Sequence, residues 1–83
     1  MSSEDLVKKV RASHSTLRIG KNGVNDGFIN EVNRRLKQEK VIKIKVATED
    51  DVKEIATIVS EKTKAKLIEI RGFTFILAKD DSF

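Results

Sequence analysis

The sequence predicts an α/β fold whose elements run helix, strand, helix, strand, helix, strand, strand. Apolar residues recur at helical spacing around residues 28–36 and 52–59, which gives each segment one face to bury. Between them, residues 41–46 alternate apolar and basic side chains, as in a half-buried strand. Two later apolar runs flank Gly72 and predict a tight hairpin. With 83 residues, the chain is predicted to form one domain, 1–83.

The first two elements are predicted to be short. Leu6, Val7 and Val10 give the first helix a narrow apolar stripe, so we expect this helix to dock on the rest of the domain. Residues 13–16 connect it to a short strand at 17–20.

The second helix has a predicted start at Asn25, which is a favoured N-cap residue. Val24 precedes this cap and is placed to pack on Ile29 as a hydrophobic staple. The face that we expect to bury against the sheet consists of Phe28, Ile29, Val32 and Leu36.

The third helix is predicted over 49–64. Thr48 and Asp51 resemble a capping box at its start, with Asp in place of the usual Glu. Its apolar face consists of Val52, Ile55, Ala56 and Val59.

The predicted sheet is four-stranded and mixed. The last two strands, 67–71 and 73–77, form an antiparallel hairpin. Because strand–helix–strand crossovers are right-handed, both long helices should lie on one face of the sheet. The tail, 80–83, is predicted to fray.

Composition argues against several classes of function. The chain has no Cys, and its single histidine, His14, has no thiol to pair with. Asp50, Asp51 and Glu54 are better explained as helix-start charges than as a metal site. We therefore expect no catalysis, no metal and no cofactor. No segment suits a signal peptide or a membrane span, so a cytoplasmic protein without a membrane partner is expected, and nothing demands a dimer.

Charge is distributed unevenly along the chain. The net charge is +4, but residues 8–45 hold eleven lysines and arginines against three acids, whereas residues 46–83 hold six against eight. This asymmetry predicts one electropositive face and favours a nucleic-acid partner.

The strongest motif is the loop Gly20-Lys21-Asn22-Gly23, which follows a strand and precedes a helix. Glycines permit close approach of a ligand to the backbone, and a helix N-terminus favours an anion. Lys21 adds a positive charge, so the loop is predicted to contact RNA phosphates.

Two further groups of cations are predicted to contact RNA. The first projects from the outer side of the second helix, and the second lies on the face of the strand at 41–46 that points away from Ile42, Ile44 and Val46. The two groups are Arg34, Arg35 and Lys37, and Lys43 and Lys45 with Arg18. Each set has an ordinary alternative as solvent-exposed polar surface.

Base stacking has little support in the sequence. The chain has no Trp or Tyr, and Phe28, Phe73 and Phe75 are predicted to be core residues. Recognition is therefore expected to depend on the RNA backbone and shape more than on base identity.

The stretch Ile-Gly-Lys-Asn-Gly-Val at 19–24, the basic helix after it, and Val-Ile-Lys-Ile-Lys-Val at 41–46 together resemble the chloroplast RNA splicing and ribosome maturation (CRM) domain, also called the YhbY family. The resemblance continues through the helix at 49–64 to Ile70-Arg71-Gly72. Lys79 matches a basic family position, whereas Ala78 replaces a frequent Tyr, and the first helix is shorter and lacks the usual Pro.

This resemblance implies an RNA-binding module similar in fold to the C-terminal domain of translation initiation factor three. Stand-alone members associate with precursors of the large ribosomal subunit, so it implies ribosomal RNA as the partner and a role in ribosome assembly. The family's glycine loop corresponds to residues 20–23 of this chain.

Two other functions remain open at this point. One is a basic chromatin or DNA-binding protein similar to the Alba family. The other is a protein-interaction module that docks on ribosomal proteins.

Overall fold

The computed structural model describes residues 3–21 and 23–79, and the elements follow the predicted order. Its helices are α1 (Ser3–Arg11), α2 (Asp26–Glu39) and α3 (Val52–Thr63). Its strands are β1 (Leu17–Ile19), β2 (Val41–Val46), β3 (Lys66–Arg71) and β4 (Thr74–Ala78). The tail predicted to fray, 80–83, and Asn22 of the glycine loop lie outside the described residues.

The four strands form one mixed sheet in the order β1-β2-β4-β3. β1 pairs in parallel with β2, while β4 is antiparallel to both β2 and β3. The predicted sheet is therefore confirmed. A register shift between Leu67 and Glu69 interrupts the pairing of β3 with β4.

The larger core lies between the sheet and the two long helices. Val32 and Leu36 of α2 and Ile55, Ala56 and Val59 of α3 are buried in the same cluster, together with strand residues of one sheet face. Those strand residues are Ile19, Ile42, Ile44, Val46, Phe75 and Leu77. Both long helices thus pack on one face, as the sequence predicts; we call it the helix face.

α1 packs on the opposite face of the sheet. Val7 joins Val41, Ile76 and Ala78 in a second, smaller cluster, with Leu6, Val10 and Ile68 at its edge. Val41 begins β2 on this face, which explains why both Val41 and Ile42 are buried although they point in opposite directions. The predicted docking of the first helix is confirmed.

The helix starts agree with the sequence for α2 but not for α3. Asn25 caps α2, since its side-chain oxygen accepts a hydrogen bond from the Phe28 amide at 2.8 Å. The predicted capping box of Thr48 and Asp51 is wrong. Asp51 is itself the N-cap of α3 and accepts from the Lys53 amide at 2.9 Å, while Thr48 donates to Asp50 in the preceding turn.

The aromatic residues divide differently from the prediction. Phe75 is fully buried, and Phe28 is half-buried against the larger core. Phe73, however, is 67% exposed, so its prediction as a core residue is wrong. The strand β4 begins only at Thr74, because Gly72 and Phe73 form the turn between β3 and β4, with Gly72 at φ +58°.

None of the helices formed by the described residues combines the length and the apolar character needed to cross a bilayer.

Candidate functional site

The glycine loop links the end of β1 to the start of α2. The Gly23 amide donates to the Gly20 carbonyl at 3.0 Å, which closes a turn from Gly20 to Gly23. Gly23 has φ +66°, a left-handed conformation that costs glycine little and other residues more. Lys21 is exposed on the turn. The loop therefore presents its backbone and one cation at the end of the sheet.

Gly20 differs from Gly23 in a way that bears on function. Its φ is not in the left-handed region, and no atom of the described fold lies within 4 Å of the place where a Cβ would stand. The conformation and packing of the described residues thus give no reason for glycine at this position. A ligand that approaches the backbone closely at Gly20 would account for the glycine.

The N-terminus of α2 offers less to an anion than the sequence predicted. Asn25 already accepts the Phe28 amide, and Asp26 places a carboxylate in the first turn of the helix. Both occupy part of the positive end of the helix dipole. The loop, rather than the helix end, is therefore the better candidate for a phosphate contact.

The cations of the sheet form a row beside this loop. Arg18 pairs in register with Lys45, Lys45 with Thr74, and Thr74 with Arg71. Residues paired in register share a face, and this is the α1 face, since Lys45 lies two residues beyond Lys43, the partner of Ile76. Arg18, Lys45 and Arg71 are exposed because α1 packs farther from this end. We call the four paired residues the basic row: Arg18, Lys45, Thr74 and Arg71.

Lys43 does not belong to an open surface. Its Nζ donates to the backbone carbonyls of Arg11 and Ser13 at 3.1 and 3.2 Å, and the residue is half-buried. Lys43 therefore holds the end of α1 on the sheet. The sequence placed Lys43 and Lys45 on one face correctly, but only Lys45 is exposed.

The α2 arginines are engaged with acids of the same helix. Arg34 pairs with Glu31 at 2.6 Å, and Arg35 approaches Glu31 at 3.2 Å and Glu39 at 3.6 Å. The hydrogen bond from Arg34 is the main cause that holds the pKa of Glu31 below its usual value, and the hydrogen bond from Arg35 is the second. Arg34 also lies about 12 Å along the helix axis from the start of α2. The structure does not bring these arginines next to the loop.

Lys37 is farther still from the loop. It lines an open hollow of about 340 Å³ together with Lys64 and Lys79. Lys79 lies next to the start of β2, since its amide donates to the Lys40 carbonyl. The length of β2 separates this hollow from the loop by about 20 Å.

Sequence reasoning missed two residues at the end of the sheet that carries the loop, Arg71 and Phe73. Arg71 follows the alternation of β3 and ends it, so a correct hairpin register would have placed it beside Thr74, the partner of Lys45. Phe73 was assigned to a strand, whereas the two-residue turn brings it to the surface.

Across residues 3–21 and 23–79, no group of three or more His, Cys, Asp or Glu side chains is placed to hold a metal ion.

Comparisons with known proteins agree with this fold. The Bacillus subtilis protein called probable RNA-binding protein YqeI is 30% identical over 74 residues, which cover 84% of this chain and 77% of that protein. The solution structure of Staphylococcus aureus SAV1595, described as a candidate RNA-binding protein, matches with a TM-score of 0.71 at 26% identity. That match covers 96% of this chain and 90% of the other.

The family model for the CRS1/YhbY (CRM) domain matches residues 2–79, nearly the whole sequence. It covers the glycine loop, all three helices and all four strands. The resemblance stated from the sequence is thus confirmed, and the chain belongs to the CRS1/YhbY, or CRM, domain family.

Proposed function

We propose that this protein binds RNA through the Gly20–Gly23 loop and acts in ribosome assembly without covalent chemistry. The backbone and Lys21 contact consecutive phosphates, and Arg18 and Lys45 of the basic row continue the contact along the sheet. The proposed partner is ribosomal RNA in precursors of the large subunit, which would place the protein, as a monomer, in the cytoplasm.

The observation that carries the proposal is the open space at Gly20. A glycine that the described fold does not require leaves the backbone accessible at the end of β1. A phosphate can hydrogen-bond to such a backbone at short range, and a Cβ would keep it away. Lys21, exposed in the same turn, supplies the charge.

Family membership supports RNA as the class of ligand. Both relatives described above carry RNA binding in their names or descriptions. The charge of the chain supports it independently, because most of the excess of cations falls in residues 8–45, which contain the loop and two strands of the basic row. Ribosomal RNA and large-subunit precursors are what the family resemblance implies.

The first test measures binding of single-stranded RNA by Lys21→Glu, with Lys62→Glu as the matched control. Both lysines are exposed and both variants change the charge equally, but Lys62 lies in the last turn of α3, away from the loop. Lys21→Glu should weaken binding and reduce the slope of log affinity against log salt by about 0.7, the loss of one phosphate contact. Equal effects of the two variants would show that only net charge matters.

The second test uses the glycine itself. Gly20→Ala should fold with unchanged stability, because the space for a Cβ is open, and should bind RNA more weakly. Gly20→Val extends the series and should weaken binding further. Unchanged RNA affinity in both variants, with the fold retained, would remove the loop backbone from the interface.

The partner is tested separately from the site. Competition between large-subunit ribosomal RNA and duplex DNA distinguishes this proposal from an Alba-like function, since a preference for duplex DNA contradicts it. In cell lysates, the protein should sediment with large-subunit precursors, and RNase should release it. Retention after RNase would indicate docking on ribosomal proteins instead.

A further inference from the structure

Phe73 is the most exposed large apolar side chain among the described residues. It is 67% exposed, compared with 39% for Ile70 and 37% for Ile58. The backbone of Phe73 is nevertheless fixed: the Val46 amide donates to its carbonyl at 2.7 Å, and Gly72 before it closes the turn with φ +58°. The turn thus holds an aromatic residue with most of its surface in solvent.

The basic row reaches this aromatic residue. Arg71 and Thr74 flank the turn on either side of Gly72 and Phe73, and Lys45 and Arg18 continue the row across β2 and β1. Neighbouring strands lie about 4.8 Å apart, so the three cations span about 15 Å across the end of the sheet that carries the Phe73 turn. Together they combine positive charge with an aromatic surface.

This surface is continuous with the glycine loop. The C-terminal ends of β1 and β2 lie at the same end of the sheet, where the Ala47 amide donates to the Ile19 carbonyl at 2.9 Å. Gly20 follows Ile19 directly. The backbone of Phe73 lies at this end of the sheet next to β2, two strand spacings or about 10 Å from the loop.

The nearby acids neutralise the row only in part, since Glu69 attracts Arg71 as well as Arg11. Glu69, on the adjacent position of β3, is bound by the guanidinium of Arg11. The acids after β2, from Glu49 to Asp51, belong to the segment that leads into α3, and α3 packs on the helix face. At this end of the sheet, the face that carries the basic row therefore remains positive.

We propose that the basic row and Phe73 form a second RNA contact, which takes a single-stranded segment and stacks one of its unpaired bases on the Phe73 ring. The inference rests on the proposed RNA binding and adds the class of RNA. Stacking on an exposed ring requires a base that is not already stacked in a duplex, and cations beside an aromatic platform are typical of single-strand binding.

The binding test compares Phe73→Ala with Ile58→Ala, a matched loss of an exposed apolar side chain on α3. For single-stranded oligouridylate, Phe73→Ala should lower affinity by roughly fivefold to a hundredfold, the range for losing one stacked base. Ile58→Ala should leave it unchanged. Perfect duplex RNA should bind both variants like the unmodified protein.

A spectroscopic test uses the absence of Trp and Tyr from the chain. Phe73→Trp introduces a single indole, whose fluorescence should be quenched when oligouridylate binds. Ile58→Trp provides the control and should not be quenched. An abasic oligonucleotide of equal length should bind Phe73→Trp without quenching it.

Salt dependence separates stacking from charge. Phe73→Ala should shift log affinity without changing its slope against log salt, whereas Lys45→Ala and Arg71→Ala should each reduce the slope by about 0.7. Equal slopes for all three variants would overturn the assignment of phosphate contacts to the row.

The outcomes distinguish this inference from the loop proposal. If Phe73→Ala binds RNA normally while Lys21→Glu binds weakly, stacking is wrong and the loop proposal stands. If Phe73→Ala weakens binding and Lys21→Glu does not, the loop proposal fails and this inference stands. Concentration-dependent self-association that Phe73→Ala abolishes, with unchanged RNA affinity, would assign the ring to a contact between two copies and overturn the inference.

Discussion

The Nζ of Lys43 in β2 donates to the backbone carbonyl of Arg11 at 3.1 Å and so fastens the end of α1 to the centre of the sheet. A second bond from the same ammonium reaches the Ser13 carbonyl. Lys45, two residues farther on the same strand and the same face, is exposed. Two lysines that look equivalent in the sequence thus have different surroundings: one supports the fold, and the other is available to a ligand.

We expect Lys43→Met to lower the free energy of unfolding by about 1 kcal/mol, because it removes a charged donor from two carbonyls. Lys45→Met should change it by less than about 0.5 kcal/mol, as is usual for exposed positions. Urea unfolding followed by circular dichroism measures both. RNA affinity should show the opposite order, with the larger loss in Lys45→Met. Equal stability of the two variants would mean that the Lys43 bonds are not maintained in solution.

The comparison of Lys43 with Lys45 shows where sequence reasoning ends. Alternation along β2 placed both side chains on the face opposite Ile42 correctly, since the period of a strand is a local property. The position of α1 on that face is not local. It depends on how Val7 packs with Ile76, a residue 69 positions later, and no pattern within β2 contains that information.

The same distinction explains the errors at Thr48 and Phe73. A three-residue difference in the start of α3 decides whether Thr48 or Asp51 is the cap, and both are acceptable N-cap residues. A one-residue difference in the hairpin moves Phe73 from strand to turn and from predicted core to surface. In contrast, Asn25 was predicted correctly because Val24, Ile29 and the glycine loop all indicate the same helix start.

The ion pair of Arg11 with Glu69 predicts a pH-dependent contribution to stability. The hydrogen bond from Arg11 holds the pKa of Glu69 below its usual value of 4.5, and the Arg11 pKa is raised, so Arg11 stays charged throughout. The contribution should be complete above about pH 4.5 and disappear as pH falls through the lower folded-state pKa. Thermal unfolding of Glu69→Gln and the unmodified protein should therefore differ slightly at pH 6 and converge near pH 2. A difference that grows toward acid would contradict this sign.

The end of α3 carries strain that a substitution should relieve. Lys64 is the C-cap, with φ 56° and ψ 30°, a left-handed conformation that disfavours residues with a Cβ. Lys64→Gly should raise the free energy of unfolding by about 0.5–1 kcal/mol. Lys62→Gly, two residues earlier and helical, should lower it by about 0.7 kcal/mol. Urea unfolding measures both, and the same sign in both variants would contradict the assignment of the cap.

A substitution at Glu31 tests whether the outer side of α2 contacts RNA. Its carboxylate holds Arg34 and Arg35, so a phosphate at this surface has to compete with it. Glu31→Gln removes the competing charge, and if these arginines contact RNA, as the sequence predicts, affinity should rise severalfold at low salt and less at high salt. Glu39→Gln is the matched control, because Glu39 approaches Arg35 alone and at 3.6 Å. Titration of single-stranded RNA with both variants measures the effect. Since the two substitutions change net charge equally, equal gains would reflect net charge alone, and the α2 arginines would then be solvent-exposed side chains outside the interface.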